Sequence, residues 1–156
     1  MFKIPYWSTA VGKGFSDFIL DIIDGEIYLE NLNSRETFNY IYNLNVNAGD
    51  WKKRTEEEIE EISKGYLVFK VKGIIIGGCY IKIGNRNFTY SSIIECFWIS
   101  EKGCGYGTKA LNKIKSIVHS RPIYTYSKKG GFFEKNGFKK EEGIISTTGA
   151  QRYKFL

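Results

Sequence analysis

The chain has 156 residues, 42% hydrophobic and 16% aromatic with only two prolines, which excludes a disordered or low-complexity protein and fits a single domain spanning 1–156. Three cysteines without CxxC spacing and one histidine exclude a disulfide framework and a zinc site, so reduced thiols and no metal are expected. The net charge of +6 is uneven: residues 1–100 hold 11 Lys/Arg against 13 Asp/Glu, whereas residues 101–156 hold 12 against 4, a balance suited to a polyanionic ligand on the C-terminal side. No apolar run approaches the ~18 residues that span a bilayer, and the start MFKIPYWSTA lacks the basic-then-apolar order of a secretory signal. A cytoplasmic protein without a membrane partner is the expectation.

In chain order, the β-prone runs FILDII and EIYL flank Asp24-Gly25, a dipeptide that tolerates the positive φ of a tight hairpin turn. Ser34 is a helix cap, followed by Phe38, Ile41, Tyr42 and Leu44 at roughly helical spacing, with Gly49 marking the end. Thr55 and Glu58 make a capping box for a second helix, whose Ile59 and Ile62 face inward and which Gly65 stops. From Tyr66 the period changes from helix to strand. YLVFKVK, IIIGGCYIKI and FTYSSIIECFWIS predict three sequential strands in an antiparallel meander, the first two separated by Gly73. Then come Gly103, Gly105 and Gly107 and a predicted helix from Thr108 to about His119 with Ala110, Leu111, Ile114, Ile117 and Val118 on one face. After Arg121-Pro122, a strand (IYTYS), a short helix (GGFFEKNG) and two strands (FKKEEG and QRYKFL) complete an α/β (α+β) chain.

The order strand, glycine turn, helix in KGCGYGT presents backbone N–H groups at a helix start, where the macrodipole also favours negative charge. Glycines allow positive φ and close approach of phosphate oxygens, so a pyrophosphate is the natural ligand, with an unoccupied structural turn as the alternative. A P-loop requires Gly-Lys-Ser/Thr, whereas this run is Gly107-Thr108-Lys109. A dinucleotide fold places its glycines at the first strand with an acidic residue about 20 positions on, yet no carboxylate lies between Glu101 and Glu134.

The segment EKGCGYGTKALNKI resembles the acetyl-CoA loop of GNAT enzymes, Arg/Gln-x-x-Gly-x-Gly/Ala opening a helix, with Lys102, Gly105 and Gly107 in those positions and lysine as a departure in the first. Downstream, GGFFEKNGFKKE is similar to the family's second signature, an aromatic pair followed by Glu-Lys-x-Gly-Phe. Upstream, the capped helix and LVFKVKGIIIGGCYI are similar to the family's helix and glycine-turn strand pair, so the likeness covers about residues 26–156 and leaves 1–25 as an extra N-terminal segment. The resemblance implies a mixed, mainly antiparallel sheet flanked by helices and direct acetyl transfer from acetyl-CoA to an amine, and it is compatible with a homodimer. It also implies that Cys104 through Thr108 (Cys104, Gly105, Tyr106, Gly107, Thr108) bind the pyrophosphate, with Lys102 and Gly103 beside them. Phe97, Trp98 and Ile99 would offer strand backbone to the pantetheine arm, and Ser127 and Phe133 lie where the family contacts the cofactor.

Catalysis in such a site rests on positioning and on taking a proton from the amine. Glu95, the one carboxylate between Glu61 and Glu101, is the candidate base, directly or through a water; its other reading is an outward-facing or lysine-paired strand residue. Where the family often carries a tyrosine to protonate the departing thiolate this chain has Phe133, leaving Tyr126, Tyr124 or Tyr153 as substitutes, of which Tyr126 is the candidate. Acceptor selection in the family falls to the first two helices, here roughly 34–65, where the run Glu56, Glu57, Glu58, Glu60 and Glu61 is either an attractor for a cationic amine on a small molecule, protein lysine or N-terminus, or a solvated helix face. Two competing readings keep the fold: a nucleic acid or charged RNA as target, from the basic C-terminal third with Tyr124, Tyr126, Phe132 and Phe133, and a CoA-binding module without transfer.

Overall fold

A computed structural model describes residues 27–86, 89–100 and 105–156. The run FILDII and the Asp24-Gly25 turn lie outside them; EIYL contributes to strand β1, Tyr28–Asn31. Ser34 then caps helix α1, Arg35–Asn47, its side chain accepting from the Thr37 N–H, and the helix buries Phe38, Ile41, Tyr42 and Asn45 at helical spacing. Beyond its end Gly49 takes φ 79°, the left-handed turn that glycine enters without steric cost. Helix α2, Glu56–Gly65, opens on the expected capping box: Glu58 N–H donates to the Thr55 hydroxyl, and Thr55 N–H donates to the Glu58 carboxylate. The Thr55 backbone hydrogen bond is the main reason that the Glu58 carboxyl titrates below its usual range.

Strands β2, Leu67–Val71, and β3, Ile74–Arg86, are joined by the two-residue turn Lys72-Gly73, in which both residues have positive φ, 54° and 72°; this is the twist that a tight hairpin needs. The remaining elements are β4 (Thr89–Ile99), α3 (Tyr106–Ile117), β5 (Ile123–Ser127), α4 (Gly131–Lys135), β6 (Lys139–Ile145) and β7 (Gln151–Phe155). The seven strands run in the order β1-β2-β3-β4-β5-β7-β6, with β4 and β5 parallel and the pairs β1/β2, β2/β3, β5/β7 and β6/β7 antiparallel. That is the mixed, mainly antiparallel α/β class read from the sequence. The parallel pair is allowed because α3 lies between its strands in the chain and serves as the crossover. Helix α3 starts two residues before the predicted Thr108, because Gly105 at φ 78° is the last non-helical residue and its carbonyl already accepts from Lys109 N–H at 3.1 Å.

By packing, the described residues divide into two compact units, one within 1–80 and 96–110, the other within 81–95 and 111–156. The first has a core of Leu32, Phe38, Ile41, Tyr42, Ile62, Tyr66, Val68, Ile75, Cys96 and Trp98, with Val46, Trp51, Ile59 and Tyr80 packed on it. Each large apolar side chain so buried contributes about 1.5–3 kcal/mol. Tyr66 is fully buried, and burial pushes its phenol well above the ordinary value; its hydroxyl donates to the Cys96 carbonyl at 2.9 Å. In β3, Gly77 and Gly78 leave no room for a side chain. A Cβ on Gly77 would lie 2.1 Å from the Trp98 carbonyl oxygen, and one on Gly78 would lie 2.5 Å from the Tyr66 ring.

The second unit buries Ile94, Leu111, Ile114, Ile123, Phe133, Phe138 and Tyr153. Its aromatic rings form a chain, Phe133 to Phe138 at 5.4 Å and Phe138 to Phe155 at 5.4 Å, with Lys115 and Arg121 over the Phe155 ring. Arg121 also ties off α3, donating from Nε to the Val118 carbonyl at 3.1 Å and from a terminal nitrogen to that of Lys115 at 2.5 Å. Among the described residues, no helix is long and apolar enough to cross a membrane.

Candidate active site

In the first unit, Gly105 stands directly before α3, which begins at Tyr106 rather than at the predicted Thr108. Gly105 is exposed at φ 78°, and a Cβ there would meet nothing within 4 Å, so the space beside the turn is open. In an α-helix the first-turn N–H groups lack an intrahelical acceptor, and here those of Tyr106, Gly107 and Thr108 occupy that turn with no acidic residue among them. Thr108 and Lys109 are exposed, which places a hydroxyl and a positive charge at the same end of the helix. An anion is the ligand such an end favours. Lys102, Gly103 and Cys104 lie outside the described residues.

The last residues of β4 belong to the same unit, and their backbone is fixed from several directions. Cys96 has φ 54°, a left-handed conformation uncommon for a residue with a side chain. The Tyr66 hydroxyl holds its carbonyl, and the Trp51 indole N–H donates to the Phe97 carbonyl at 3.4 Å. The Phe97 ring packs on Phe69 at 5.6 Å, Trp98 is buried in the core, and Ser100 N–H donates to the Ile76 carbonyl at 2.7 Å. Together with the close approach of Gly77 to Trp98 and Ile99, these contacts set the course of the strand segment Phe97-Trp98-Ile99. The Gly77-Gly78 pair was the readable sign of this, since adjacent glycines inside a β-rich run mark close backbone approach.

In the second unit, β4 and β5 pair from Ser92↔Ile123 through Ile93↔Tyr124 to Ile94↔Thr125. Side chains alternate along each strand, so Glu95 and Tyr126 share the face of Ile93 and Tyr124. Glu95 is half-buried and Tyr126 is 41% exposed. Across the β5–β7 ladder Tyr126 stands opposite Arg152. The Arg152 guanidinium donates from Nε to Glu141 at 2.7 Å and lies 4.7 Å from the centre of the Tyr124 ring. Burial works against its charge, but the hydrogen bond to Glu141 outweighs that, with Tyr126 adding to it, and raises its pKa above the ordinary arginine value. Arg152 and Glu141 did not emerge from sequence reading: each is one of many charges in a basic, polar stretch, and only the sheet register brings them to Tyr126.

Ser127 and Phe133, also in this unit, have local partners. The Ser127 hydroxyl accepts from Lys129 N–H at 3.1 Å and donates to the Lys129 carbonyl at 3.0 Å, a turn closed on itself. Phe133 is buried against Phe132, Phe138 and Tyr153. Tyr153, the other candidate acid, is a buried core ring whose hydroxyl sits where a Cβ on Gly130 would fall; Tyr124 lies under Arg152. In the first unit, Glu56, Glu57, Glu60, Glu61 and Lys64 line an open depression of about 700 Å³ on α2. Part of its negative charge is neutralised by Arg35, which pairs with Glu56 and Glu60.

No family model and no curated protein matches the sequence. Solved structures do match the fold. N-acetylglutamate synthase from Neisseria gonorrhoeae, complexed with coenzyme A and N-acetyl-glutamate, aligns over 83% of this chain with a TM-score of 0.63 and 15% identity. The chain spans only 34% of that protein. Arabidopsis thaliana Naa50, in complex with a bisubstrate analogue CoA-Ac-MVNAL, aligns over 84% of this chain and 99% of its own at a TM-score of 0.62 and 13% identity. An N-acetyltransferase from Staphylococcus aureus Mu50 aligns over 83% and 96% at a TM-score of 0.59 and 14% identity. The sheet order, the turn at Gly105 opening α3 and these structural likenesses agree: the chain has the fold of the GNAT superfamily.

Proposed function

We propose that this protein transfers an acetyl group from acetyl-CoA to a primary amine, with both substrates bound. The observation that carries the reading is the exposed turn at Gly105, with open space beside it, leading into the first turn of α3, in a fold whose solved examples include CoA complexes. On this reading the amides of Gly105, Tyr106, Gly107 and Thr108 bind the pyrophosphate, with Lys102, Gly103 and Cys104 completing the loop. The backbone of Phe97, Trp98 and Ile99 aligns the pantetheine arm. Glu95 takes a proton from the ammonium form of the acceptor, directly or through a water. The neutral amine attacks the thioester carbonyl, the C–N bond forms as the C–S bond breaks, and the sulfur leaves with the bonding pair and takes a proton from Tyr126. The products are an N-acetyl amine and free CoA thiol.

The acceptor is a polyamine, an aminoglycoside, or a lysine or N-terminus of a polypeptide, the last class supported by the peptide-like analogue bound to Naa50. The test is release of CoA thiol from acetyl-CoA against a panel of these amines. Amine-dependent release with one class is the expected result. Binding of acetyl-CoA with no amine-dependent release across the panel would contradict transfer. Salt-sensitive RNA binding that survives saturation with CoA would instead support the nucleic-acid reading of the basic segment 101–156.

A further inference from the structure

The scheme above leaves one well-held cation beside its proposed acid without a role. Tyr126 and Arg152 are directly opposed in the antiparallel β5–β7 ladder, a placement that brings Cβ atoms to about 4.5–5.5 Å of each other. The guanidinium is fixed from two further sides, by Nε donating to Glu141 at 2.7 Å and by the Tyr124 ring beneath it at 4.7 Å. The side chains of Arg152 and Glu141 are only 25% and 22% exposed, so water screens the pair weakly. Arginine stays protonated and has donors in a rigid fork; with Nε committed to Glu141, the other nitrogens remain to face the phenol. A link between β6 and β7 needs only the Arg152–Glu141 pair. The stack on Tyr124 and the facing Tyr126 go beyond that.

Resting on the proposed acetyl transfer, we infer that Arg152 is the positioning residue for Tyr126: it donates to the phenol oxygen, so that the hydroxyl proton turns away from it and is offered to the departing sulfur. In that step the C–S bond breaks, the sulfur takes the bonding pair and the Tyr126 proton, and the phenolate left beside the guanidinium recovers a proton from solvent. Glu141 and Tyr124 act one step further out, holding Arg152.

The experiment is a double-mutant cycle in the full chain, with kcat and the acetyl-CoA KM measured for native protein, Arg152→Met, Tyr126→Phe and the double variant, and with Arg152→Lys as the conservative rescue. Tyr126→Phe is expected to lower kcat on the order of 10²-fold. Arg152→Met should lower it by a similar factor with KM near native, the double variant should be no slower than either single one, and Arg152→Lys should recover part of the loss, because residues acting as a unit are non-additive. Glu141→Gln, which leaves the arginine in place but less firmly held, should give a smaller loss that disappears in the Tyr126→Phe background, and it carries the test if Arg152→Met does not fold. Losses that multiply, a native kcat in Arg152→Met, or a loss confined to KM would overturn the inference and leave acetyl transfer standing. Absence of transfer by the native chain with every amine would overturn both.

Discussion

Replacing Glu95 with glutamine is expected to lower kcat on the order of a hundredfold while leaving acetyl-CoA affinity near native. An acceptor amine is an ammonium ion at neutral pH and cannot attack until it loses a proton, so a carboxylate at the site contributes through the chemical step and not through cofactor binding. Glu95 is half-buried on β4, on the same face as Tyr126, and two residues before Phe97, where the strand segment proposed to align the pantetheine arm begins. Glutamine has nearly the same shape but a far weaker proton acceptor, so the variant separates chemistry from packing. Steady-state kinetics with a calorimetric acetyl-CoA titration checks it. A kcat within about threefold of native, well short of the 10²–10⁴ of a general base, would remove Glu95 from the mechanism.

Gly77→Ala is expected to cost about 2–3 kcal/mol of stability, close to the upper range of overpacking. The new methyl would sit 2.1 Å from the Trp98 carbonyl oxygen and 2.8 Å from the Ile99 side chain, and backbone cannot yield as a flexible side chain does. The substitution also bears on function, because Trp98 and Ile99 belong to the segment proposed to align the pantetheine arm, so acetyl-CoA affinity should fall with stability. Gly131→Ala, where a Cβ meets nothing within 4 Å at the start of α4, is the control and should be neutral. Urea unfolding of the three proteins decides this: equal midpoints would show that β3 and the end of β4 do not approach as closely as described.

Features encoded within a few residues were readable in advance. The Ser34 cap and the Thr55/Glu58 box set two helix starts, because a cap needs only a side chain and the amide three positions on. Gly73 marked the β2–β3 turn. The sequence pattern puts the start of α3 two residues late because Gly107 looks like part of the loop, yet it lies in the first turn, where glycine is tolerated. Cys96 gave no sign of its positive φ, since cysteine carries no preference for that region; Tyr66, Trp51 and the backbone around it impose it. The constellation Tyr126, Arg152, Glu141 and Tyr124 is drawn from three strands; Glu141 reaches Arg152 one step beyond the Lys140↔Tyr153 pair, and no local pattern in the sequence announces that pairing. The glycine loop was legible as a candidate anion site because the chemistry such a site needs is that of the backbone itself. Ser127 was legible only as a hydroxyl, and its partner proved to be its own turn.

The central claim is that the turn at Gly105 holds the pyrophosphate of acetyl-CoA, and calorimetric titration of acetyl-CoA into native protein, Gly105→Asn and Gly105→Asp tests it most directly. Asparagine and aspartate both tolerate the left-handed φ of 78° found there and have nearly equal size, so the comparison isolates charge. The account predicts binding by native protein, weaker binding by Gly105→Asn, and none measurable for Gly105→Asp. Equal affinities for the Asn and Asp variants, or no acetyl-CoA binding by the native chain, would contradict it.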